Sequence, residues 1–454
     1  MLPLLATLGI LSFGGSGAAD ESLAALCRPV EQGVLVDLAG SRFTPEQGYD
    51  PGEPVTTIDA RQSMLLLPGD NFLLRTSTVY PGQIEFRYRT VGTAEGESTV
   101  DELGWRDGDV LQRDDAASSI KDGADLRMLV PGLAACDALA AKHETNAGEV
   151  RFTDRAGRPV TLSLDTTAGA LTEAQIGAER YRYGPSQVAY TRDGHLVARW
   201  DTIITRPARP EDRSLLTIDS AYRPATPAGP LRATALGSGA YRIDGAGSGY
   251  HAGFVVGSRG IVLFDPSVSP EEAQTVRALI EQTAPGRKVT HVVLSHVHRD
   301  HVAGLPVYAD AEIFVGAGGS AALRRQFGDR TPARMHEVTT RTTLDLGGRP
   351  VRIDPIASSH SGTMLVGFDP GSGTLFQGDL FYLPERGTVP AAFATGQELS
   401  AFIAREKLPV RTIVGVHGRS GTPADLDRAL ELARVARNDR GGVGRMIAPD
   451  RGVD

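Results

Sequence analysis

The segment Ser295-His296-Val297-His298-Arg299-Asp300-His301 constrains this chain more than any other. Three imidazoles and one carboxylate fall between positions 296 and 301, directly behind the apolar run Val292-Val293-Leu294. A brief, β-branched run of this kind predicts a buried strand, and the ligand-type residues then occupy the loop at its end. Residues i and i+2 of an extended segment project to the same side, so His296 and His298 can grip one metal ion together. Asp300 and His301 lie a step further on and can turn toward a second ion. Neutral imidazole and carboxylate suit zinc, iron or manganese. The chain has 10 His in all, and the neighbourhood is not low-complexity, so a stray histidine-rich tract does not account for the cluster.

Further ligand types follow downstream. His360 stands in Ser358-Ser359-His360-Ser361-Gly362, Asp379 in Leu375-Phe376-Gln377-Gly378-Asp379-Leu380, and His417 in Ile413-Val414-Gly415-Val416-His417-Gly418. Each sits where a strand would hand over to a loop, and strand ends on a packed sheet are rigid platforms for chemistry. A lone Gly-Asp or His-Gly means nothing; in this order, behind the segment 296–301, the set is specific. It resembles the metallo-β-lactamase-fold hydrolase superfamily, over roughly residues 230 to 440. The resemblance implies that His296, His298 and His360 hold a first ion, that Asp300, His301 and His417 hold a second, and that Asp379 bridges both. The implied cofactor is a pair of divalent ions, zinc first, with iron or manganese as alternatives. Asp265, in Val262-Leu263-Phe264-Asp265, matches the family's buried aspartate behind the metals and would orient ligands. Its alternative is a plain turn residue before Pro266. The implied fold class is α/β: an αββα sandwich of two sheets between helices, with the metals at one edge, preceded by a β-rich, mostly antiparallel domain.

A chain of 454 residues is long for a single domain, so two are expected. Residues 30–222 carry repeated strand-and-turn signals rather than helical periodicity. Strand-like stretches at 71–78 and 83–90 flank Val79-Tyr80-Pro81-Gly82, and those at 187–191 and 196–204 flank Asp193-Gly194. Another pair, 150–154 and 159–164, flanks Arg155-Ala156-Gly157. The proline-rich tract 223–230 reads as a linker, and 231–440 as the catalytic domain. Trp105, Asp107-Gly108 and Leu164-Asp165 are loosely similar to the curved half-barrel of periplasmic lipoprotein-carrier domains. That likeness implies an apolar ligand in the N-terminal domain; the alternative is a sheet that packs on the catalytic domain and binds nothing. In the catalytic region helices are expected at 270–283 behind the N-cap Ser269, at 320–327, and at 423–437 behind Thr422.

The N-terminus reads as an export signal over 1–19. Leu2 to Phe13 is apolar and too short to span a membrane, and Gly14 to Ala19 supplies small residues for cleavage, although no Lys or Arg precedes the apolar run. The expected location is therefore periplasmic or secreted, with the cytoplasm as alternative. No later segment is long and apolar enough for a transmembrane helix. If the chain is exported, the two cysteines, Cys27 and Cys136, can form a disulfide; otherwise they are buried free thiols. The net charge is −8, and no Lys/Arg cluster is interleaved with aromatics, which argues against a nucleic-acid substrate.

The chemistry implied is hydrolysis of a small-molecule ester, thioester or lactone by metal-bound hydroxide. Two ions sharing a water lower its pKa toward about 7. Asp300 could shuttle a proton as a catalytic residue. Tyr382 and Arg419, close behind Asp379 and His417, are candidates for holding substrate, with packing or surface roles as the alternative. His251, His291 and His336 match no ligand position and read as structural. In this superfamily the bridging aspartate is typical of glyoxalase II-like thioesterases, lactonases, phosphodiesterases and sulfatases, and true β-lactamases lack it. Three alternatives stand beside the hydrolase: an iron enzyme similar to a persulfide dioxygenase, using His296, His360 and Asp379; a β-lactamase; and a ligand-binding or relay protein with a vestigial metal site.

Overall fold

The computed structural model describes residues 16–146, 148–226 and 229–439. Its described strands form three sheets: one of fourteen strands, one of seven and one of five.

The large sheet is built by the first half of the chain. Two antiparallel meanders, Val34–Pro45 through Val110–Asp114 and Glu144–Asn146 through His195–Pro207, are joined where Val34–Pro45 pairs with His195–Pro207. Alternation decides which face is buried: in Pro159–Asp165, Val160, Leu162 and Leu164 point inward while their neighbours are more exposed. Three helices, Ser16–Cys27, Ala116–Met128 and Pro131–Ala140, fill that face. Leu23, Met128, Leu133 and Ala134 share one core with Val36, Met64, Leu162 and Trp200. The last two helices lie within the region read as β-rich from its strand-and-turn signals and were not anticipated there. Asp115 caps the first by accepting from Ser118 N, and Pro131 opens the second at a position where no N–H is needed. The buried guanidinium of Arg127 locks them together with a two-pronged grip on Asp137 at 2.7 Å.

Cys27 and Cys136 are joined by a disulfide that ties the first helix to the third. The apolar run Leu2 to Phe13 lies outside the described residues, whereas Ala19, one of the small residues behind it, is buried in the helical core. The linker tract also differs in part from expectation. Arg223–Pro224 pairs with Val110–Leu111 at the sheet edge, because Arg223 and Ala225 can still donate to Asp109 O and Leu111 O on either side of the proline. Residues 227 and 228 lie outside the described set.

From Arg232 onward the chain forms four layers. The seven-stranded sheet runs from Arg232–Gly237 to Met335–Val338, and the five-stranded sheet from Thr342–Asp345 to Thr412–Val414. Val262, Phe264 and Phe314 of the first meet Ile353, Leu365 and Phe376 of the second, with Phe264 and Phe376 stacked at 4.2 Å. Helix Pro270–Thr283, capped by Ser269, covers the outer face of the first sheet with Ala273, Val276 and Ile280. Gly319–Phe327 packs on the same layer. The five-stranded sheet is covered by Pro423–Asp439 and by Ala394–Glu406, a helix the sequence reading left out. The result is an α/β helix–sheet–sheet–helix sandwich preceded by a β-rich, antiparallel domain.

Candidate metal centre

Strand ends bring the ligand-type residues to one edge of the sandwich. Val289–Val293 feeds Ser295 to His301, Pro350–Pro355 leads to His360, Thr374–Phe376 to Asp379, and Thr412–Val414 to His417. Ile261–Phe264, beside Val289–Val293, ends at Asp265. Gly378 is needed for this convergence: its φ is +61°, and a Cβ there would collide with the Ser295 side chain.

The candidate residues fall into groups whose donor atoms lie within 4.8 Å of one another: His296, His298 and His360; His296, His301 and Asp379; and Asp300, His301 and His417. Asp379 stands between them. One of its oxygens is 3.6 Å from His360 Nε2, and the other is 3.2 Å from His301 Nε2 and 3.4 Å from His417 Nε2. Asp265 lies behind. Its Oδ1 accepts from Ser295 N at 2.8 Å, and its Oδ2 is 3.4 Å from His301 Nδ1.

Electrostatics fit a cation. Burial, then the neighbouring histidines, drives His296 well below the usual imidazole range. Burial, then His360, pushes His298 down to about 3, and burial lowers His360 as well. These three imidazoles stay neutral and offer lone pairs. Burial alone would raise Asp379, but the His301 and His417 charges hold it well below the carboxylate range. Burial likewise works against the charge of His301, yet Asp379 and Asp300 raise it well above normal. The Nε2 of His301 and Oδ1 of Asp379 are buried and face each other at 3.2 Å. This donor set, imidazole nitrogen beside carboxylate oxygen, is what a divalent metal takes.

The remaining candidates are placed as follows. Tyr382 is buried, with its ring stacked on His417 at 5.2 Å, and belongs to an aromatic group with Phe86, Phe393 and Trp105. Arg419 points its guanidinium toward Asp425, 4.0 Å away. His251 is buried and bonds Ile243 O and Glu385, beside the Arg242–Asp244 pair. Arg242 also donates to Gly418 O at 3.1 Å, steadying the loop that carries His417. His336 pairs with Glu312, and His291 bonds Thr290.

Two site residues escaped the sequence reading. Tyr250 donates to Asp300 Oδ2 at 3.1 Å and sets its ring against His417 at 4.4 Å. Gln47 donates to Asp300 Oδ1 at 2.8 Å from the N-terminal domain. Tyr250 precedes His251 in a segment with no ligand spacing, and Gln47 lies 253 positions upstream, so neither carried a signal.

Residues 246–417 match the family model of the metallo-beta-lactamase superfamily. Coenzyme F(420)H(2) oxidase of Methanocaldococcus jannaschii is 26% identical over 142 residues, 30% of this chain and 34% of that protein. The chain thus matches about a third of that relative's length. Among solved structures, the stereoselective inverting sec-alkylsulfatase Pisa1 from Pseudomonas sp. is similar at 15% identity, covering 46% of this chain and 42% of that one, with a TM-score of 0.36. A metallo-beta-lactamase from Pontibacter korlensis is similar at 20% identity, covering 45% of this chain and 99% of that one, with a TM-score of 0.37.

Proposed function

We propose that this protein is a dinuclear metal-dependent hydrolase of a small-molecule ester, thioester or lactone. One observation carries the reading: the two oxygens of Asp379 face different ligand groups, one toward His360 and the other toward His301 and His417. A carboxylate so placed suits a bridge between two ions. In this reading His296, His298 and His360 hold one ion, Asp300, His301 and His417 the other, with zinc the leading choice. A bound metal pair supplies a water acidified to near neutral pH and an electrophile for the substrate oxygen.

The chain's own residues do the rest. Tyr250 and Gln47 donate to opposite oxygens of Asp300 and fix its plane, which orients the carboxylate toward His301 and His417. Tyr382 and Phe393 pack with Phe86 and Trp105 in an apolar cluster beside His417, which keeps water from that side of the ligand groups. The Cys27–Cys136 disulfide supports an oxidising compartment, the periplasm or the exterior.

A second reading, oxygen chemistry at iron, draws on the oxidase relative. One experiment separates the two. Hydrolysis is measured across thioester, lactone, carboxyl ester, phosphodiester and β-lactam probes, with chelation and metal re-addition. Chelator-sensitive turnover of an ester, thioester or lactone is the expected result. Silence across the panel, with bound iron and oxygen consumption, would replace the hydrolase with the redox enzyme.

A further inference from the structure

We propose that the N-terminal domain supplies the outer hydrogen-bond layer of the metal centre: the segment Glu46–Pro51 and the turn at Pro81 fix which nitrogens of His298 and His360 face the metal, and Gln47 fixes Asp300. This rests on the metal-site reading above. It gives the β-rich domain a role in the chemistry of a site whose ligand groups, among the described residues, all come from the other half of the chain.

The geometry is specific. Nε2 of His298 lies 2.9 Å from Gly48 O, and Nδ1 of His360 lies 2.9 Å from Pro81 O. A carbonyl oxygen only accepts, so each of these nitrogens carries the ring proton. The lone pair is then left on Nδ1 of His298 and on Nε2 of His360, and that Nε2 is 3.3 Å from His296 Nε2. The other nitrogen's hydrogen bond sets which atom of a histidine can ligate. For both residues it comes from the other half of the chain. Gln47 completes the layer with its 2.8 Å bond to Asp300.

The docking is firm enough to impose these choices. Arg299 N donates to Glu46 O and Gly362 N to Tyr49 O, at 3.3 and 2.9 Å. Arg325 reaches Glu46 at 3.1 Å and Pro51 O at 2.6 Å, and Gln326 bonds both Glu46 and Val297 O. Glu46 is held at φ +55°, a conformation that costs a non-glycine residue energy and persists where surroundings over-determine it. At the second contact Gly82 has φ +84°, and a Cβ there would stand 3.3 Å from the Cα and Cβ of His360 and 2.8 Å from Thr395. Only glycine lets the turn lie this close.

The test uses the full chain loaded with zinc, as wild type and as Gln47→Leu. Native mass spectrometry counts the ions, and competition with a graded chelator gives their affinities. Melting of the metal-free proteins checks folding. The expected result is a loss of about 10–100-fold in affinity for one ion, the other ion unaffected, and equal melting of the metal-free forms. Nitrogen-15 NMR of the metal-free wild type should find His298 protonated on Nε2 and His360 on Nδ1. Wild type holding two ions beside a Gln47→Leu variant of equal affinity, or the opposite tautomers, overturns this inference alone. Wild type that takes up no metal overturns the metal-site reading and this inference with it.

Discussion

Asp379 is the residue on which the site turns, because its oxygens face both ligand groups. Asp379→Ala should abolish turnover while far-UV circular dichroism keeps its wild-type shape; full activity in that variant would sink the metal mechanism. Asp265 acts one layer further out, on Ser295 N and His301. Asp265→Asn keeps an acceptor for Ser295 but loses the charge behind His301, so metal affinity should fall about 10–100-fold in chelator competition. Away from the site, Glu97 is buried beside Asp122 and Asp114. Burial first, then those charges, raises its pKa to about 7. A carboxyl whose folded pKa exceeds its unfolded value contributes most below the unfolded value of 4.5, and that contribution is lost as pH climbs toward about 7. Glu97→Gln should therefore stabilise the protein by about 1–2 kcal/mol at pH 8, allowing for solvent screening, and change little at pH 4. Paired urea titrations at the two pH values check the sign. At this scale the ligand-type side chains were legible from their order along the chain, with the segment 296–301, Asp379 and His417 each behind a short apolar run and His360 between them. Gly48 and Pro81 were not, because they act through backbone carbonyls that no residue type announces.

Elements differ in how plainly the sequence declares them. Pro270–Thr283 has an N-cap at Ser269, Pro at its first position and an apolar stripe at Val276 and Ile280, and the predicted bounds coincide with the observed ones. Ala116–Met128 mixes Ser119, Lys121 and Gly123 into its faces, and its apolar residues cluster at the C-terminal end, so its period is faint. The informative signals there were Asp115 and Pro131, caps rather than stripes. Ala394–Glu406 has neither a side-chain cap nor an acidic first turn, and its burial of Leu399 and Phe402 is a tertiary fact. Between Ser16–Cys27 and Pro131–Ala140 the disulfide closes a loop spanning 109 positions. In the chain-entropy picture such a closure removes about 4–5 kcal/mol of freedom from the unfolded chain. Reduction, or the paired change Cys27→Ala with Cys136→Ala, should lower stability by about 2–5 kcal/mol. An unchanged denaturation midpoint under reductant would show that helical packing alone holds these elements.

Across the whole molecule the two halves share a polar seam at the metal centre and an apolar one beside it. The apolar seam packs Ile84, Phe86 and Trp105 of the first sheet against Tyr382 and Phe393 of the sandwich. Relative motion of the halves would break the Arg325–Glu46 pair and open both seams. One calorimetric transition is therefore expected for the metal-loaded protein, shifting as a unit to lower temperature on chelation. Two transitions, only the second of which responds to chelator, would mean that the halves are energetically separate.

The bond between Gln47 and Asp300 spans 253 positions, and that between Gly48 and His298 spans 250. On a ribosome adding about 5–20 residues per second, roughly 10–50 s pass between the birth of the buttress and the birth of the ligands it holds. The strands of the N-terminal sheet are thus all synthesised before the ligand-type residues emerge. In the proposed reading the second ion waits on the last ligand, and a nascent chain halted before His417 would lack one member of the group formed with Asp300 and His301.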